Sequence, residues 1–506
     1  MKKIIALLLV IFTVVPFAAA CRKNTAEPTE SAKPTETASA AESETESEDE
    51  AKKTEIMNYV KELSGGLNFA GKTFTYIGKE YDTGSNFPKK EEETGDIESD
   101  AVYFRQRDTE ELFGIDMEYV RTETGEVTAD QVKNEVMAGG TSYDLVHGST
   151  QTTGQTLLNS ATIRQVDNLK YVDLDQPWWI ASIRDDYSIT NRLFFLTGPI
   201  VVDNYNDSCC ILFNKTVTSM FGIDDTELYN TVKEGKWTID RMIETASVIP
   251  ENSTGTGVYR YLEPYGYAFI FSSGMKITSF DDEGNPSVPE ALPIEFSNLA
   301  DKLCPIFSNK AETVFTDYRK SEDPQKTYGV EELQEFFIDN KALFKFAYSA
   351  GAMDMRKYDV SFGILPLPKL NESQKNYCTY ARMGMDSAVY IPRTVADINM
   401  SDAITEALAA LSEIYVKEAY YEKLLKGQSI FDLESRDMID IIFSTKVYDL
   451  IALYSGADYN QMGTFLQTLE DGIKLDNSNL ASGYKGSARL CNFNAKMLVK
   501  AVAKID

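Results

Sequence analysis

At 506 residues, 43% hydrophobic and 11% aromatic, the chain is long enough to bury two cores and too apolar to remain unfolded. Its 78 acidic and 50 basic residues give a formal net charge of −28, which repels nucleic-acid backbones and anionic headgroups. We therefore expect no nucleic-acid partner and no peripheral membrane docking. The single histidine, His147, excludes a metal site with several histidine ligands.

The amino-terminal segment has the pattern of a secretory signal peptide. Lys2 and Lys3 precede an apolar run that ends at Phe17, and small residues then lead to Cys21. This arrangement resembles a bacterial lipobox, whose cysteine is lipidated and becomes the first mature residue, although Ala18 stands where leucine is usual. We expect residues 1–20 to be the signal peptide. Ordinary cleavage with a free Cys21 is the alternative.

The next segment is predicted to be a tether. Residues 22–55 contain no valine, leucine, isoleucine, methionine or aromatic residue, so they cannot bury apolar surface. We expect residues 21–55 to be a lipidated cysteine followed by a disordered acidic linker. The lipid is expected to be the sole membrane contact and to hold the exported protein at the outer face of the bacterial cytoplasmic membrane.

The other cysteines carry no recognisable motif. They are an odd number, contain no CxxC pair, and leave any disulfide pairing open: Cys209, Cys210, Cys304, Cys378 and Cys491.

Residues 74–146 alternate between strand and helix patterns. Strands are predicted at 74–78, 116–120 and 143–146. Helices are predicted between them, one near 100–113 and one that Thr128 caps and the glycines at 139 and 140 end. This alternation indicates a parallel doubly wound sheet, which binds ligands beyond the carboxyl ends of its strands.

Several short phrases follow one another in order beyond residue 190. They are an apolar run ending in Asn-Lys at 210–215, Lys-Trp-Thr-Ile-Asp at 236–240, Glu-Pro-Tyr-Gly at 263–266, Asn-Lys-Ala-Leu-Phe at 340–344, Phe-Gly-Ile-Leu-Pro-Leu-Pro at 362–368 and a strand ending in Ile-Pro at 387–393. Their order and spacing resemble the sugar-type extracellular solute-binding proteins of the type II periplasmic-binding-protein family. In 236–240 tryptophan precedes threonine, which departs from the family order.

The resemblance implies an α/β fold with two lobes, each a doubly wound sheet flanked by helices, and a ligand cleft between the lobes that closes by a hinge motion. The first lobe is expected to contain residues 56–205 and about 383–446, and the second lobe 206–382 and about 447–506. A long amphipathic helix is predicted over 402–426, with Ser401 as its cap.

The resemblance also implies a function. We expect a monomeric, non-catalytic protein without cofactor or metal that captures a carbohydrate, in particular an oligosaccharide, and delivers it to the permease subunits of an ABC importer. Three alternatives remain open at this stage: a peptide ligand, service to a sensor kinase, and a secreted glycoside hydrolase with two catalytic carboxylates.

A sugar site needs flat aromatic faces together with fixed carboxylates and amides. The candidates lie where such residues coincide with an expected cleft edge: His147, Ser149, Trp178, Trp179, Tyr205, Asn206, Asp207, Tyr265, Tyr348, Arg382 and Asp386. A structural position at a strand end is the alternative for His147. Packing on the lobe surface is the alternative for the two tryptophans.

Overall fold

A computed structural model describes residues 36–67, 69–79, 87, 92–250, 257–314, 330–355, 357–382, 387–425, 433–474 and 480–505. The predicted signal peptide, Cys21 and Asp386 lie outside these residues. The chain divides into two units, residues 1–52 and 53–506. In the first unit the structure describes one part of a helix.

The described helices are α1 (Glu36–Gly65), α2 (Ile97–Phe113), α3 (Gly125–Met137), α4 (Gln155–Asn159), α5 (Ile183–Tyr187), α6 (Asp203–Asn206), α7 (Lys215–Phe221), α8 (Asp225–Lys233), α9 (Ile239–Ser247), α10 (Gly266–Ser272), α11 (Ile294–Ser308), α12 (Val330–Ile338), α13 (Ser349–Met355), α14 (Ile398–Ile414), α15 (Val416–Leu425), α16 (Leu433–Ser444), α17 (Leu450–Leu453), α18 (Asn460–Lys474) and α19 (Leu480–Val502).

The described strands are β1 (Thr73–Lys79), β2 (Asp116–Thr122), β3 (Leu145–Ser149), β4 (Cys209–Asn214), β5 (Tyr259–Leu262), β6 (Ser279–Phe280), β7 (Pro286–Ser287), β8 (Thr313–Val314), β9 (Ala342–Tyr348), β10 (Phe362–Leu365), β11 (Thr379–Tyr380), β12 (Ser387–Tyr390) and β13 (Lys446–Val447).

Residues 36–55 were expected to belong to a disordered linker. In the structure they form the first part of helix α1, which begins at Glu36. Its first part is rich in alanine and glutamate, which favour helix. Its last part carries Ile56 and Val60, which are buried. The helix propensity of the first part and the burial of the last part together account for this helix. The prediction of disorder had considered the low hydrophobicity alone.

Two predicted helix starts are wrong. Helix α3 begins at Gly125 with Thr124 as its cap, and Thr128 lies buried inside it, where its hydroxyl donates to the carbonyl of Thr124 at 3.2 Å. The helix predicted over 402–426 is two helices, α14 and α15. Asp397 caps α14 by accepting two amide hydrogens of its first turn, so Ser401 lies buried within the helix.

The first sheet has the strand order β12-β3-β1-β2. Strand β1 is parallel to both β2 and β3, which confirms the parallel arrangement predicted for residues 74–146. Strand β12 is antiparallel to β3 at the margin, although all strands of the second sheet lie between these two in sequence. The carboxyl ends of the parallel strands lie at Lys79, Thr122 and Ser149.

The second sheet has the strand order β10-β4-β9-β5-β8 and is mixed rather than all parallel. Strands β9, β5 and β8 are parallel neighbours, whereas β4 is antiparallel to both β9 and β10. All six residues of β4 are buried, so helices must cover both faces of this sheet. Helices α7, α13 and α16 contact its β10, β4 and β9 strands.

The five cysteines named above are free thiols in the described part of the chain. Burial raises the pKa of the Cys209 and Cys210 thiols, which keeps both protonated at neutral pH. Among the described residues no group of histidine, cysteine and carboxylate side chains is placed to hold a metal ion. No described helix has both the length and the apolar character of a membrane span.

Candidate functional site

Three chain crossings between the two sheets lie side by side, and we call them the hinge. A bridge between Ser208 and Ala381 joins the segment before β4 to the segment after β11. The backbone N–H of Arg382 donates to the carbonyl of Asp207 at 2.9 Å. Strand β13, on the third crossing, pairs in parallel with β11. The hydrogen bonds run between crossings, so each crossing supports its neighbour.

Four side chains, Asp207, Tyr265, Tyr348 and Arg382, form a group at the hinge that we call the hinge cluster. The rings of Tyr265 and Tyr348 stack with centroids 5.2 Å apart and planes inclined by 23°. The Arg382 guanidinium lies 4.4 Å from the Tyr348 ring centroid and 3.9 Å from the Asp207 carboxylate. Because the Arg382 side chain is 40% exposed, the cluster presents a cation to solvent beside two aromatic rings.

A strained turn brings Tyr265 into the cluster. Strand β5 ends at Leu262, and Glu263 then adopts a left-handed backbone with a φ of 53°. This conformation costs a residue other than glycine about 1–2 kcal/mol. The buried Glu263 carboxylate accepts from the Lys345 ammonium on β9, and the Glu263 amide donates to the carbonyl of Val314 at 2.8 Å. The ion pair and the hydrogen bond hold the strained turn in place.

Burial keeps both phenols of the hinge cluster neutral. It is the largest cause of the rise in the pKa of Tyr265 and of Tyr348 above the ordinary value of 10.0. Burial lowers the pKa of Arg382, but the nearby Tyr348 and Asp207 outweigh it, and the net shift is upward. At neutral pH the cluster therefore offers two hydroxyls, a set of guanidinium donors and one carboxylate acceptor.

A groove of about 500 Å³ adjoins the hinge at β11. Its lining consists of Gln151, Tyr267, Phe271, Tyr380, Ala452, Ser455, Gly463, Thr464, Leu466 and Gln467. The rings of Phe271 and Tyr380 stack with centroids 5.3 Å apart and planes within 8° of parallel. These two side chains are 3% and 8% exposed, so the stacked pair is buried against the groove rather than open to it.

Polar groups at the groove come from distant parts of the chain. Gln151 follows strand β3 of the first sheet, and its side-chain amide donates to the Ser455 hydroxyl at 2.8 Å. The Tyr267 hydroxyl, on α10, donates to the Gln467 side-chain carbonyl at 3.3 Å. Amide and hydroxyl groups beside ring faces are the combination that a polyhydroxylated ligand requires.

Solved structures share this architecture. The chain aligns with the cyclic alpha-maltosyl-1,6-maltose binding protein from Arthrobacter globiformis at a TM-score of 0.56 and 10% identity, covering 84% of this chain and 100% of that one. The present chain therefore has the two-lobed solute-binding-protein fold. The galacto-N-biose-/lacto-N-biose I-binding protein of the ABC transporter from Bifidobacterium longum aligns at a TM-score of 0.50 and 11% identity over 84% and 97% of the two chains.

A third solved structure of this fold binds a different ligand. UgpB from Mycobacterium tuberculosis, in complex with glycerophosphocholine, aligns at a TM-score of 0.50 and 12% identity over 85% and 99% of the two chains. No protein-family model and no curated protein matches the chain. At these identities the likeness concerns the solute-binding fold, and the ligand has to be argued from the side chains.

Strand β3 carries two of the predicted site residues, one in its middle and one at its end. Ser149 is partly exposed, accepts a hydrogen bond from the Gln151 amide at 3.2 Å, and pairs in register with Ser387 of β12. His147 is 0% exposed and packs near Tyr76 and Phe87, with ring centroids 6.4 and 6.3 Å away. His147 therefore lies inside the first sheet, which agrees with the alternative that it has a structural position and no contact with ligand.

The predicted stacking of Trp178 or Trp179 on a ligand is wrong. These side chains are 2% and 4% exposed, and both indole N–H groups donate to the buried carboxylate of Glu406 on α14, at 3.0 and 2.9 Å. The same carboxylate accepts from the Tyr59 hydroxyl and the Asp173 amide at 2.9 and 3.2 Å. The tryptophans thus pack inside the lobe.

Tyr205 and Asn206 pack against α15 next to the hinge. Tyr205 is 5% exposed and stacks on Tyr420 with centroids 5.1 Å apart, and the Lys446 ammonium lies 5.4 Å from its ring centroid. The Asn206 side-chain carbonyl accepts from the Tyr420 hydroxyl at 2.8 Å. Tyr205 was predicted to contact ligand, but its burial leaves it no open face.

The sequence analysis missed the groove residues Gln151, Tyr267, Tyr380 and Gln467. A partial signal existed for Tyr267, which lies two residues beyond the predicted Tyr265. No signal marked Gln467, because it is a polar residue of an ordinary amphipathic helix, α18, and only packing against α10 brings it to the groove.

Proposed function

We propose that this chain is the binding component of an ABC importer and captures an oligosaccharide between its two lobes. The observation that carries this proposal is the partly exposed stacked pair of Tyr265 and Tyr348 beside the Arg382 guanidinium and the Asp207 carboxylate. A groove lined by further amide and hydroxyl groups lies nearby. A sugar ring stacks its weakly apolar face on such aromatic rings while its hydroxyls exchange hydrogen bonds with the polar groups.

Closure of the lobes follows from the hinge. The three crossings permit bending while the sheets stay rigid, and a ligand that contacts both lobes favours the closed state. The hinge cluster, Ser149 and Asp386 are the residues we assign to the ligand. We propose lobe boundaries at about 205 and 383, with α16, which packs on β10, in the second lobe. We propose that the protein works as a monomer with the permease subunits as its partners.

The carboxylates of the site are arranged for binding a sugar without hydrolysing it. A glycoside hydrolase needs two carboxyl groups across one bond. In the described hinge cluster Asp207 is the one carboxylate, and the nearby Glu263 is held by Lys345. A sugar is therefore expected to leave the site unchanged.

The anchoring of the protein is a separate proposal. The small residues before Cys21 support export, cleavage and lipidation at that cysteine, which places the protein at the outer face of the bacterial cytoplasmic membrane. In the native host, mass spectrometry of the mature amino terminus should find a lipidated Cys21. A Cys21→Ser variant should lose its partition into the detergent phase, and a wild-type terminus without lipid would contradict the anchor.

The test of ligand class is thermal unfolding of the chain without residues 1–21, against oligosaccharides, amino acids, short peptides and glycerophosphodiesters. A ligand at a hundredfold excess over its Kd stabilises the fold by about 2.7 kcal/mol. One oligosaccharide class should raise the Tm and be recovered intact. Stabilisation by peptides or glycerophosphodiesters alone would overturn the carbohydrate assignment, and consumption of the sugar would overturn binding without turnover.

Variants then locate the site. Tyr265→Ala removes one ring of the stacked pair and should weaken binding at least tenfold, since the burial of a side chain of this size contributes about 1.5–3 kcal/mol. Tyr358→Ala, at an exposed position, is the matched control. Equal affinities of the two variants would place the ligand elsewhere.

A further inference from the structure

Helix α19 carries a surface that the proposed ligand site does not use. Leu490, Phe493 and Met497 are 51%, 61% and 42% exposed. They are spaced three and four residues apart and therefore lie on one face of the helix. Among the described residues no other helix exposes three large apolar side chains.

Positive charge lies alongside this apolar stripe. Lys485, Arg489, Lys496 and Lys500 are all exposed and recur at spacings of four, seven and four residues, so they form a second stripe next to the first. The sequence of α19 contains no aspartate or glutamate. Arg489 lies 3.6 Å from the exposed Glu290 carboxylate, so three lysines, Lys485, Lys496 and Lys500, carry the local excess of positive charge in a chain with a net charge of −28.

The buried side of α19 packs against the rest of the fold. Its inward residues, such as Cys491 and Leu498, are 0% exposed, and the helix packs along α18. Its end is fixed by Arg192, which donates to the carbonyls of Val502 and Ile505 at 2.8 Å each. The exposed stripes are therefore presented by a rigid helix of 23 residues.

We propose that this face of α19, the paired stripes of residues 485–500, docks on an anionic lipid surface. Helices that bind a membrane interface combine leucine and phenylalanine with lysine and arginine, and these residue types lie in adjacent stripes on the exposed face of α19. The whole-chain charge does not prevent this, because at physiological ionic strength charges more than about 8–10 Å away are largely screened. The charges on the contacting face therefore determine the interaction.

The lipid surface is favoured over a second copy of this chain by charge. In a two-fold dimer the same four cations would face each other or lie close together across the interface. An anionic surface instead neutralises them, and its interior accepts the apolar stripe.

The experiment uses the chain without residues 1–21, which retains every described residue. Its flotation with vesicles of equal parts phosphatidylglycerol and phosphatidylcholine is compared with pure phosphatidylcholine vesicles. We expect binding to the anionic vesicles, weakened by added salt. Each lysine near an anionic surface contributes about fivefold in affinity, so Lys496→Gln with Lys500→Gln should lower binding at least about tenfold.

Matched control variants test whether vesicle binding depends on α19 or on exposed side chains in general. Phe493→Ser should lower vesicle binding, whereas Met220→Ser, at an equally exposed apolar side chain, should not. Lys236→Gln with Lys357→Gln, at exposed lysines outside α19, should have no effect. Unchanged thermal unfolding shows that the variants fold.

Two results would overturn the proposal. One is the absence of anionic-vesicle binding at low salt, or binding that the α19 variants leave unchanged. The other is a concentration-dependent dimer, seen by light scattering, that Phe493→Ser dissolves while vesicle binding persists, which would assign the face to a second copy of the chain. Neither result bears on carbohydrate binding, because the face lies outside the proposed ligand site.

Discussion

The only histidine of the chain should remain neutral in the folded protein down to strongly acidic pH. His147 is 0% exposed on β3, and burial, assisted by the positive charge of Arg105, lowers its pKa from 6.5 to about 3. In the unfolded chain the imidazole regains its ordinary pKa. Between these two values the unfolded state therefore binds one more proton than the folded state.

The sign and size of the effect follow from this difference. Because the unfolded chain takes up the proton, His147 favours the folded state above pH 6.5, and this contribution declines as the pH falls toward 3. Each pH unit within that window removes about 1.4 kcal/mol, so lowering the pH from 6.5 to 5 should remove about 2 kcal/mol of unfolding free energy through this residue.

The assay combines nuclear magnetic resonance with denaturation. The imidazole C2 proton of His147 can be assigned without ambiguity, since the chain has one histidine, and His147→Gln should remove the signal. Its chemical shift should stay constant from pH 8 to 5. Urea unfolding of wild type and of His147→Gln should show a difference that shrinks by about 2 kcal/mol between pH 6.5 and 5.

The reasoning would be refuted by a chemical shift that titrates with a midpoint near 6.5. Parallel pH profiles of the two proteins in urea would refute it equally. Either result would mean that water or a charged partner reaches the imidazole within the sheet.

Three further perturbations test the packing of the site and its supports. Glu406→Ala leaves four donors without their acceptor, two of them buried indoles, and should cost at least about 3 kcal/mol in urea unfolding, whereas Glu418→Ala at an exposed position should cost less than about 0.5 kcal/mol. Lys345→Met leaves the Glu263 carboxylate buried without its cation and should cost about 3–5 kcal/mol, most of it recovered when Glu263→Leu is added. Arg382→Lys removes the planar cation above a tyrosine ring and should weaken oligosaccharide binding about tenfold by calorimetry without changing the Tm of the ligand-free protein.

Part of the candidate site was predictable because it depends on short stretches of chain. Tyr265 follows a strand within a Glu-Pro-Tyr-Gly phrase, and Tyr348 and Arg382 also lie at the ends of recognisable strand segments. The structure brings these three together with Asp207 because the segments that carry them meet at the hinge.

The errors arose where partners are far apart in sequence. Trp178 and Trp179 look like exposed stacking residues until Glu406, more than two hundred residues later, is seen to accept from both indoles. Tyr205 has a polar neighbourhood in sequence, yet Tyr420 covers its ring. No local pattern contains this information.

The α/β class, the parallel strands of the first sheet and the negative overall charge could be predicted from the sequence, because apolar periodicity and composition are local or additive properties. Which side chains face the groove and which are buried could be seen only in the folded chain. Their placement depends on long-range contacts: β12 closes the first sheet after the second is complete, and α18 brings Gln467 to Tyr267. It also depends on burial, which makes His147 a core residue rather than a ligand group.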